Sequence, residues 1–353
     1  MDCRLLTGDW IDLSDYRFGA PQRSGSLTVV PITTSQTSSA FVPLSGGEVA
    51  IHRAGSGAAV LENVSKQDCV LAPLHFVLPI DRRDSHLQSR TTLIPPAVRL
   101  NLNKEVVSPF RSGRNVRLDA AAGYCLPLSM RGYAWRERTA FDSNRRQSLL
   151  NEVQGQMHRL GQGSLDLVLQ ARHSELNRLL RRIELLTGQS GALFFIDDRP
   201  VGLEIAPSPA YFAAIWQPLL AGCYGLTALL LESEKPAVSA LPEPYAVSHV
   251  TELRSEMFRA RHERQERLRA AVSGPSHANF TVVEEQRWGN YRVQSLTGST
   301  FAGQYVEEIT KTEAADEGAS AIPKMLRGLY RKSAAPTEET THRRVVYASL
   351  FAL

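Results

Sequence analysis

The stretch HLQSRTTLIPP, residues 86–96, holds the side chains best suited to grip a ligand. Arg90 offers a rigid fork of donors that matches a phosphate or carboxylate, and Gln88 can both donate and accept. On an extended segment, positions 88 and 90 point to the same side, so the two predict a pair able to hold an anionic or amide-bearing ligand. The competing expectation is a capped loop with a salt bridge. A second constellation is MRGYAWRER, where Arg131, Tyr133 and Trp135 alternate. Read as a strand, it places a cation beside two aromatics on one face, suited to stacking on a base or ring. The same three would equally seal a sheet edge.

Other chemistry is less well supplied. Glu284 and Glu285 face opposite sides of a strand, so one of them would need a distant partner such as Asp197 or Glu204 to form a convergent acid pair. Asp197-Asp198 read first as turn residues. The cysteines Cys3, Cys69, Cys125 and Cys223 form no C-x-x-C pair, and no histidines take H-x-x-x-H spacing, so no metal site is predicted. His52, His75 and His86 are scattered through the β-rich part. GNYRVQSLTGSTFAG has glycines without either nucleotide-loop pattern, and Ser26 and Ser129 lack a nucleophile elbow. No cofactor is indicated.

These residues need elements to position them. With 43% hydrophobic and 22% charged residues the 353-residue chain is expected to fold around a core. A net charge of +4 is too small for binding nucleic acid by global charge, which leaves local patches. Residues 27–33, 47–53, 58–64, 69–80, TTLIP and GYCLPLSM read as strands, so the first 135 residues look mostly β. Residues 144–160 read as a helix. From Leu165 to Leu186 the apolar period becomes helical, ending at Gly188. GALFFIDDRPVGLEI reads as a hairpin, and Ser208-Pro209 as the start of a helix. YFAAIWQPLLAGCYGLTALLL has about the length of a membrane span, roughly 20 residues, but Gln217, Pro218 and two glycines favour a buried core helix. With no apolar leader at the amino terminus, a cytoplasmic protein without a membrane segment is expected.

The fold class that follows is α+β: an antiparallel β-rich body with three or four helices, mostly after residue 143. Residues 1–235 form the body with its helical segment and 236–250 a Pro-rich linker. Residues 251–353 supply a charged helix and C-terminal strands that pack back on the body as one compact unit. The polar excursion 311–341 interrupts those strands. The helix at 251–272 carries Arg254, Arg261, Arg264 and Arg267, a candidate face for nucleic acid or a protein partner, although interleaved glutamates weaken it. A homo-oligomer is the other partner expectation.

The order of elements resembles the ARG and Rhodanese-Phosphatase-superfamily-associated protein domain, a prokaryotic family of unestablished activity. The resemblance rests on GSLTVVPI, GEVAI, Asn63 in LENV, the Gln88-Ser89-Arg90 match to a Gln-Asn-Arg signature, LPLSMRGYAW with Ser129 and Trp135, and Gln147. It continues through the 191–205 hairpin and the following helix, Gly289 with Arg292, Gly298 or Gly303, and the closing Tyr347-x-Ser349-x-Phe351. It departs where the family has Cys-x-Glu and a terminal histidine. If those residues act chemically in relatives, this member would only bind. The resemblance adds Arg292 to the ligand-binding candidates Gln88, Arg90, Arg131, Tyr133 and Trp135. It implies a ligand-binding or accessory role in ADP-ribose or nucleotide-linked metabolism, in the setting of bacterial conflict systems. Two alternatives stand beside it: a hydrolase of such nucleotides, and a component that binds protein or nucleic acid through the Arg-rich helix.

Overall fold

The computed structural model describes residues 13–44, 49–53, 59–79, 85–101, 107–108, 123–137, 164–234, 281–298, 301–312 and 340–353, with 151, 152, 155, 157, 158 and 162. The linker 236–250, the helix 251–272 with its four arginines, nearly all of the connection 101–123, most of 144–160 and residues 313–339 of the excursion lie outside the described residues.

The strands among the described residues are, in chain order, β1 (Tyr16–Phe18), β2 (Gln22–Ser24), β3 (Leu27–Thr34), β4 (Phe41–Val42), β5 (Val49–Arg53), β6 (Ala59–Asn63), β7 (Cys69–Ala72), β8 (Phe76–Pro79), β9 (Ser85–Leu87), β10 (Thr92–Ile94), β11 (Arg99–Asn101), β12 (Val107–Ser108), β13 (Tyr124–Cys125), β14 (Gln189–Ile196), β15 (Arg199–Ile205), β16 (Thr281–Trp288), β17 (Tyr291–Thr297), β18 (Phe301–Thr312) and β19 (Thr340–Ala352). The helices are α1 (Leu128–Glu137), α2 (Leu165–Ala171), α3 (His173–Leu180), α4 (Pro209–Leu219) and α5 (Leu226–Glu234), with a π-helical turn at Leu220–Gly225 joining the last two. The fold is α+β and rich in antiparallel sheet, as the sequence predicts.

One sheet organises the molecule. It runs β1–β3–β14–β15–β19–β18–β17–β16, with β2 also on β3, and every pairing in it is antiparallel. Alternation along its strands divides the core. Ala192, Phe194 and Ile196 enter one apolar cluster beside α4, while Leu193 and Phe195 enter a second with Ile32, Leu203 and Leu350. Three small sheets, β10–β7–β4, β11–β6–β5 and β12–β9–β8–β13, come from the chain before α1, and several of their residues share the first cluster. Asp197 and Asp198 both take positive φ, 50° and 61°. That is the two-residue turn whose twist suits a hairpin.

One helix expectation and one strand expectation are corrected. Residues 165–188 are not one helix. They break at Arg172, stop at Leu180, and leave Gly188 at φ 76° in the turn before β14. Between Leu169 and Leu176 no large apolar side chain contacts the core, so nothing holds a straight rod together there. The segment after Cys125 is also not extended: α1 starts at Leu128, its first turn closed by Met130 and Arg131 N–H donating to the Pro127 carbonyl, both at 3.0 Å. Further on, Ser208 caps α4 as predicted, its Oγ accepting from Tyr211 N–H at 3.1 Å. The run Pro209–Ser233 is long and apolar enough to cross a membrane, but 56% of its most apolar window is buried inside the protein, as in a core helix.

Candidate functional site

In α1, successive residues turn by about 100°, so Arg131 and Trp135 share a face and Tyr133 does not. Tyr133 is half-buried under the Arg136 guanidinium, 4.6 Å from the ring centre. Arg131 points the other way and is wholly buried. Its Nη1 donates to Glu204 Oε1 at 2.8 Å, with Tyr224 Oη at 3.4 Å and Cys223 Sγ at 3.7 Å alongside. Its Nη2 donates to Ser349 Oγ at 2.6 Å and its Nε to His75 Nδ1 at 3.4 Å. The guanidinium lies 4.5 Å from the centre of the Phe351 ring, which packs edge-on against His75 and Trp135.

Burial alone works against the Arg131 charge, but Cys125, Glu204, Cys223 and Tyr224 more than reverse that, and its pKa lies well above the ordinary value. Burial lifts Cys125 and Tyr224 far above their usual values, so both are neutral at pH 7 and Glu204 is the acid that balances Arg131. The Tyr224 hydroxyl donates to Glu204 Oε1 at 2.8 Å.

Irregular backbone delivers two of these neighbours. His75 stands at φ 61°, a conformation an L residue keeps only when its surroundings enforce it. Three backbone bonds do so: His75 N–H to Gln88 O at 2.7 Å, Gln88 N–H to Phe76 O at 2.8 Å, and Leu126 N–H to His75 O at 3.0 Å. On the other side, the π-helical turn carries Cys223 and Tyr224. π-turns inside helices recur at functional sites. Gly222 lets that turn press on β13, since a Cβ there would stand 2.6 Å from the Cys125 carbonyl oxygen.

The sheet extends this centre into a polar row. Glu204 on β15 is in register with Ser349 on β19, Ser349 with Gln304 on β18, and Gln304 with Ser295 on β17. All four are buried. With strands about 4.8 Å apart, the row crosses roughly 14 Å of the sheet. Gln304 Nε2 donates to Ser295 Oγ at 2.9 Å, and Ser295 Oγ to Glu285 Oε1 at 2.6 Å. Glu285 in turn takes Arg90 Nη1 at 3.2 Å, and Gln304 Oε1 takes the Thr91 N–H at 2.5 Å. The row therefore begins at Arg131 and ends under the loop that carries Gln88 and Arg90.

That loop is not extended, because β9 ends at Leu87 and β10 begins at Thr92. Gln88 turns inward, is fully buried, and donates Nε2 to the Arg90 carbonyl and to Thr92 Oγ1 at 2.8 Å. Arg90 runs outward to Glu285 with about a third of its side chain exposed. The expected same-face pair is thus replaced by one inward amide and one arginine engaged with an acid. Gln286 adds a clamp: its side chain donates to Leu93 O at 2.7 Å and accepts from Leu93 N–H at 2.9 Å, imitating a strand along the β10 edge.

Arg292 lies on the opposite face of β17 from Ser295. It donates to Glu307 at 2.6 Å, and Glu307 also takes Gln294, which accepts from Tyr305. The structure therefore gathers Gln88, Arg90 and Arg131 along one polar row, with Trp135 beside Arg131 through Phe351, and leaves Tyr133 and Arg292 off it. Asn63 has a local duty, donating to Asp68 O and Ile94 O and accepting from Ser65 N–H. Glu284 is held by Arg287 and Glu285 by Arg90, so each has a cation beside it. Among the described residues no group of three or more His, Cys, Asp or Glu could hold a metal ion.

Sequence reasoning named Glu204 only as a distant partner for an acid of β16 and His75 only as one of three scattered histidines, and it did not single out Tyr224, Ser295 or Gln304. Three of them were visible as violations. Glu204, Ser295 and Gln304 are polar residues at core-facing positions of apolar strands, and a polar group there needs a partner. The left-handed backbone at His75 has no such signal.

No curated protein and no solved structure matches the chain. Residues 83–303, more than half of it, match the ARPP-1 family and carry Gln88, Arg90, Arg131, Trp135, Glu204, Tyr224 and Ser295. The chain belongs to the ARG and Rhodanese-Phosphatase-superfamily-associated Protein domain family.

Proposed function

We propose that the chain is a ligand-binding or accessory protein in ADP-ribose or nucleotide-linked metabolism, and that its ligand is taken along the polar row from Arg131 to the 88–92 loop. The observation that supports this reading most is the row itself. A fold stabilised by apolar burial gains little from lining up Glu204, Ser349, Gln304 and Ser295 across four adjacent strands. A recognition surface needs convergent polar groups on a rigid sheet. The strained His75 and the π-helical Tyr224 support it too, because both irregularities bring a side chain to the same guanidinium. Arg131 has five donor hydrogens. Its contacts with His75, Glu204, Tyr224 and Ser349 use four, and one on Nη2 has no partner among the described residues. A phosphate or carbonyl oxygen is the partner that position suits.

The family name gives an association with ARG and the rhodanese-phosphatase superfamily; reading ARG as ADP-ribosylglycohydrolase suggests the ligand class without fixing it. Binding is tested by calorimetric titration of the full chain with ADP-ribose, NAD, AMP and a short single-stranded oligonucleotide. We expect a mononucleotide or dinucleotide to bind and Ser349→Ala to weaken it about tenfold, the size of one lost hydrogen bond to a charged group. No binding by any of the four, or binding indifferent to Ser349→Ala, would sink the reading.

A further inference from the structure

We infer that the 88–92 end of the polar row receives an uncharged group bearing hydrogen-bond donors, a primary carboxamide, and not an anion. This rests on the ligand-binding reading above and names the ligand class at one end of the same site.

The amide of Gln88 has only one workable orientation. Its nitrogen faces the Arg90 carbonyl, which can only accept, so reversing the amide would set oxygen against oxygen. Oε1 is therefore the acceptor atom that the loop leaves over. It is buried and has no hydrogen-bond partner among the described residues. Three residues on, Thr91 is also buried, and its Oγ1 likewise lacks a partner among the described residues. Its backbone N–H is taken by Gln304, whose own amide is fixed by that bond and by Ser295. Two unpartnered buried polar oxygens in the four-residue loop 88–91 are uncommon in a settled fold, where such atoms find partners.

The charges nearby then select the ligand. Arg90, the obvious anchor for an anion, lies against Glu285 at 3.2 Å, so the rim presents an acid together with a cation. A carboxylate or phosphate would meet the lone pairs of Gln88 Oε1 and the Glu285 charge. A carboxamide reverses both signs: its N–H can donate to Gln88 Oε1, and its oxygen can accept from the Thr91 hydroxyl. Groups built to receive a donor reject the isostere that lacks it.

The test uses the full chain and two isosteric pairs, nicotinamide against nicotinate and propionamide against propionate, titrated by calorimetry or by ligand-observed magnetic resonance. We expect each amide to bind at least about tenfold more tightly than its acid. Thr91→Val should weaken amide binding about fivefold or more while leaving the unliganded melting temperature unchanged or higher, since the hydroxyl it removes makes no bond within the described fold. Equal binding of amide and acid, binding of neither, or a Thr91→Val melting temperature several degrees lower would each overturn the inference. The ADP-ribose and NAD titrations separate this failure from that of the broader reading. NAD carries a carboxamide and ADP-ribose does not. If both bind equally and Ser349→Ala weakens both, the row binds nucleotides but the carboxamide assignment is wrong. If neither binds, the broader reading fails first.

Discussion

Removing the charge of Arg131 is the sharpest perturbation this fold offers. Arg131→Met keeps an unbranched side chain of similar length in the same buried slot, so the cavity left is small. It takes away the Glu204 ion pair at 2.8 Å, the Ser349 bond at 2.6 Å and the contact with the Phe351 ring. Glu204 stays buried, with the Tyr224 hydroxyl and no cation. Breaking one side of a buried pair costs about 3–5 kcal/mol, mostly because the stranded charge is uncompensated. Glu204→Gln should cost a similar amount by stranding Arg131. In the double variant Arg131→Met with Glu204→Gln neither charge remains, and Tyr224 still has an amide oxygen to donate to. Its loss should fall short of the sum of the singles by at least about 2 kcal/mol, at the upper end of couplings between contacting residues. The assay is urea unfolding at pH 7 followed by circular dichroism and tryptophan fluorescence, with superposable transitions required. If the two single losses add to within about 0.5 kcal/mol of the double, Arg131 and Glu204 do not act as one charged unit.

Gly202→Ala should destabilise by about 1–3 kcal/mol, because its Cβ would lie 2.0 Å from the Tyr224 hydroxyl and displace it from Glu204; Tyr224→Phe in the same chain should recover part of the loss in a thermal melt. Gln286→Met leaves the Leu93 backbone groups without their side-chain clamp and should cost about 1–3 kcal/mol in urea, with faster amide exchange along β10. Burial pushes Tyr305 up to about 12 and lifts Tyr16 and Tyr347 beyond it. Raised folded-state values mean that the unfolded chain gives up those protons first, so this contribution is intact below about pH 10 and is lost as pH climbs toward and past 12; urea melts at pH 9, 10.5 and 11.5 should show stability falling, with tyrosinate absorbance rising at the unfolding step. A chain ending at residue 275 lacks β16–β19 and with them Ser349 and Phe351, and it should give no cooperative melt.

What the sequence revealed depended on whether a local pattern had a rival. The 191–205 hairpin was legible because Asp197-Asp198 between two apolar runs has a turn as its plainest reading, and the positive φ of both residues is what that turn requires. The Ser208-Pro209 helix start was legible for the same reason, since cap and first-turn proline agree. α1 was not legible. Gly132, Tyr133 and Trp135 all argue against a helix by propensity, and the burial of Met130, Arg131, Ala134 and Trp135 holds it as one. That error misplaced the site as well. Read as a strand, the segment puts Arg131 in line with Tyr133. Turned as a helix, it drives the guanidinium into the core, where only an acid could make it tolerable.

That acid was present in the sequence as a single glutamate in VGLEI, at a core-facing position of a strand with no other charge beyond its first residue. A lone buried carboxylate demands a cation, and α1 carries the one that reaches it. What no local reading could supply was register. Glu204 meets Ser349 only because β19 returns from the far end of the chain to lie beside β15, and Gln304 meets Ser349 only because β18 pairs with β19 across the excursion. The polar row is thus a property of the sheet and belongs to no motif. The Gln88-x-Arg90 signature matters chiefly through where its loop lands on that row: the Gln88 backbone fixes the His75 conformation at one end, and its unspent amide oxygen remains at the other.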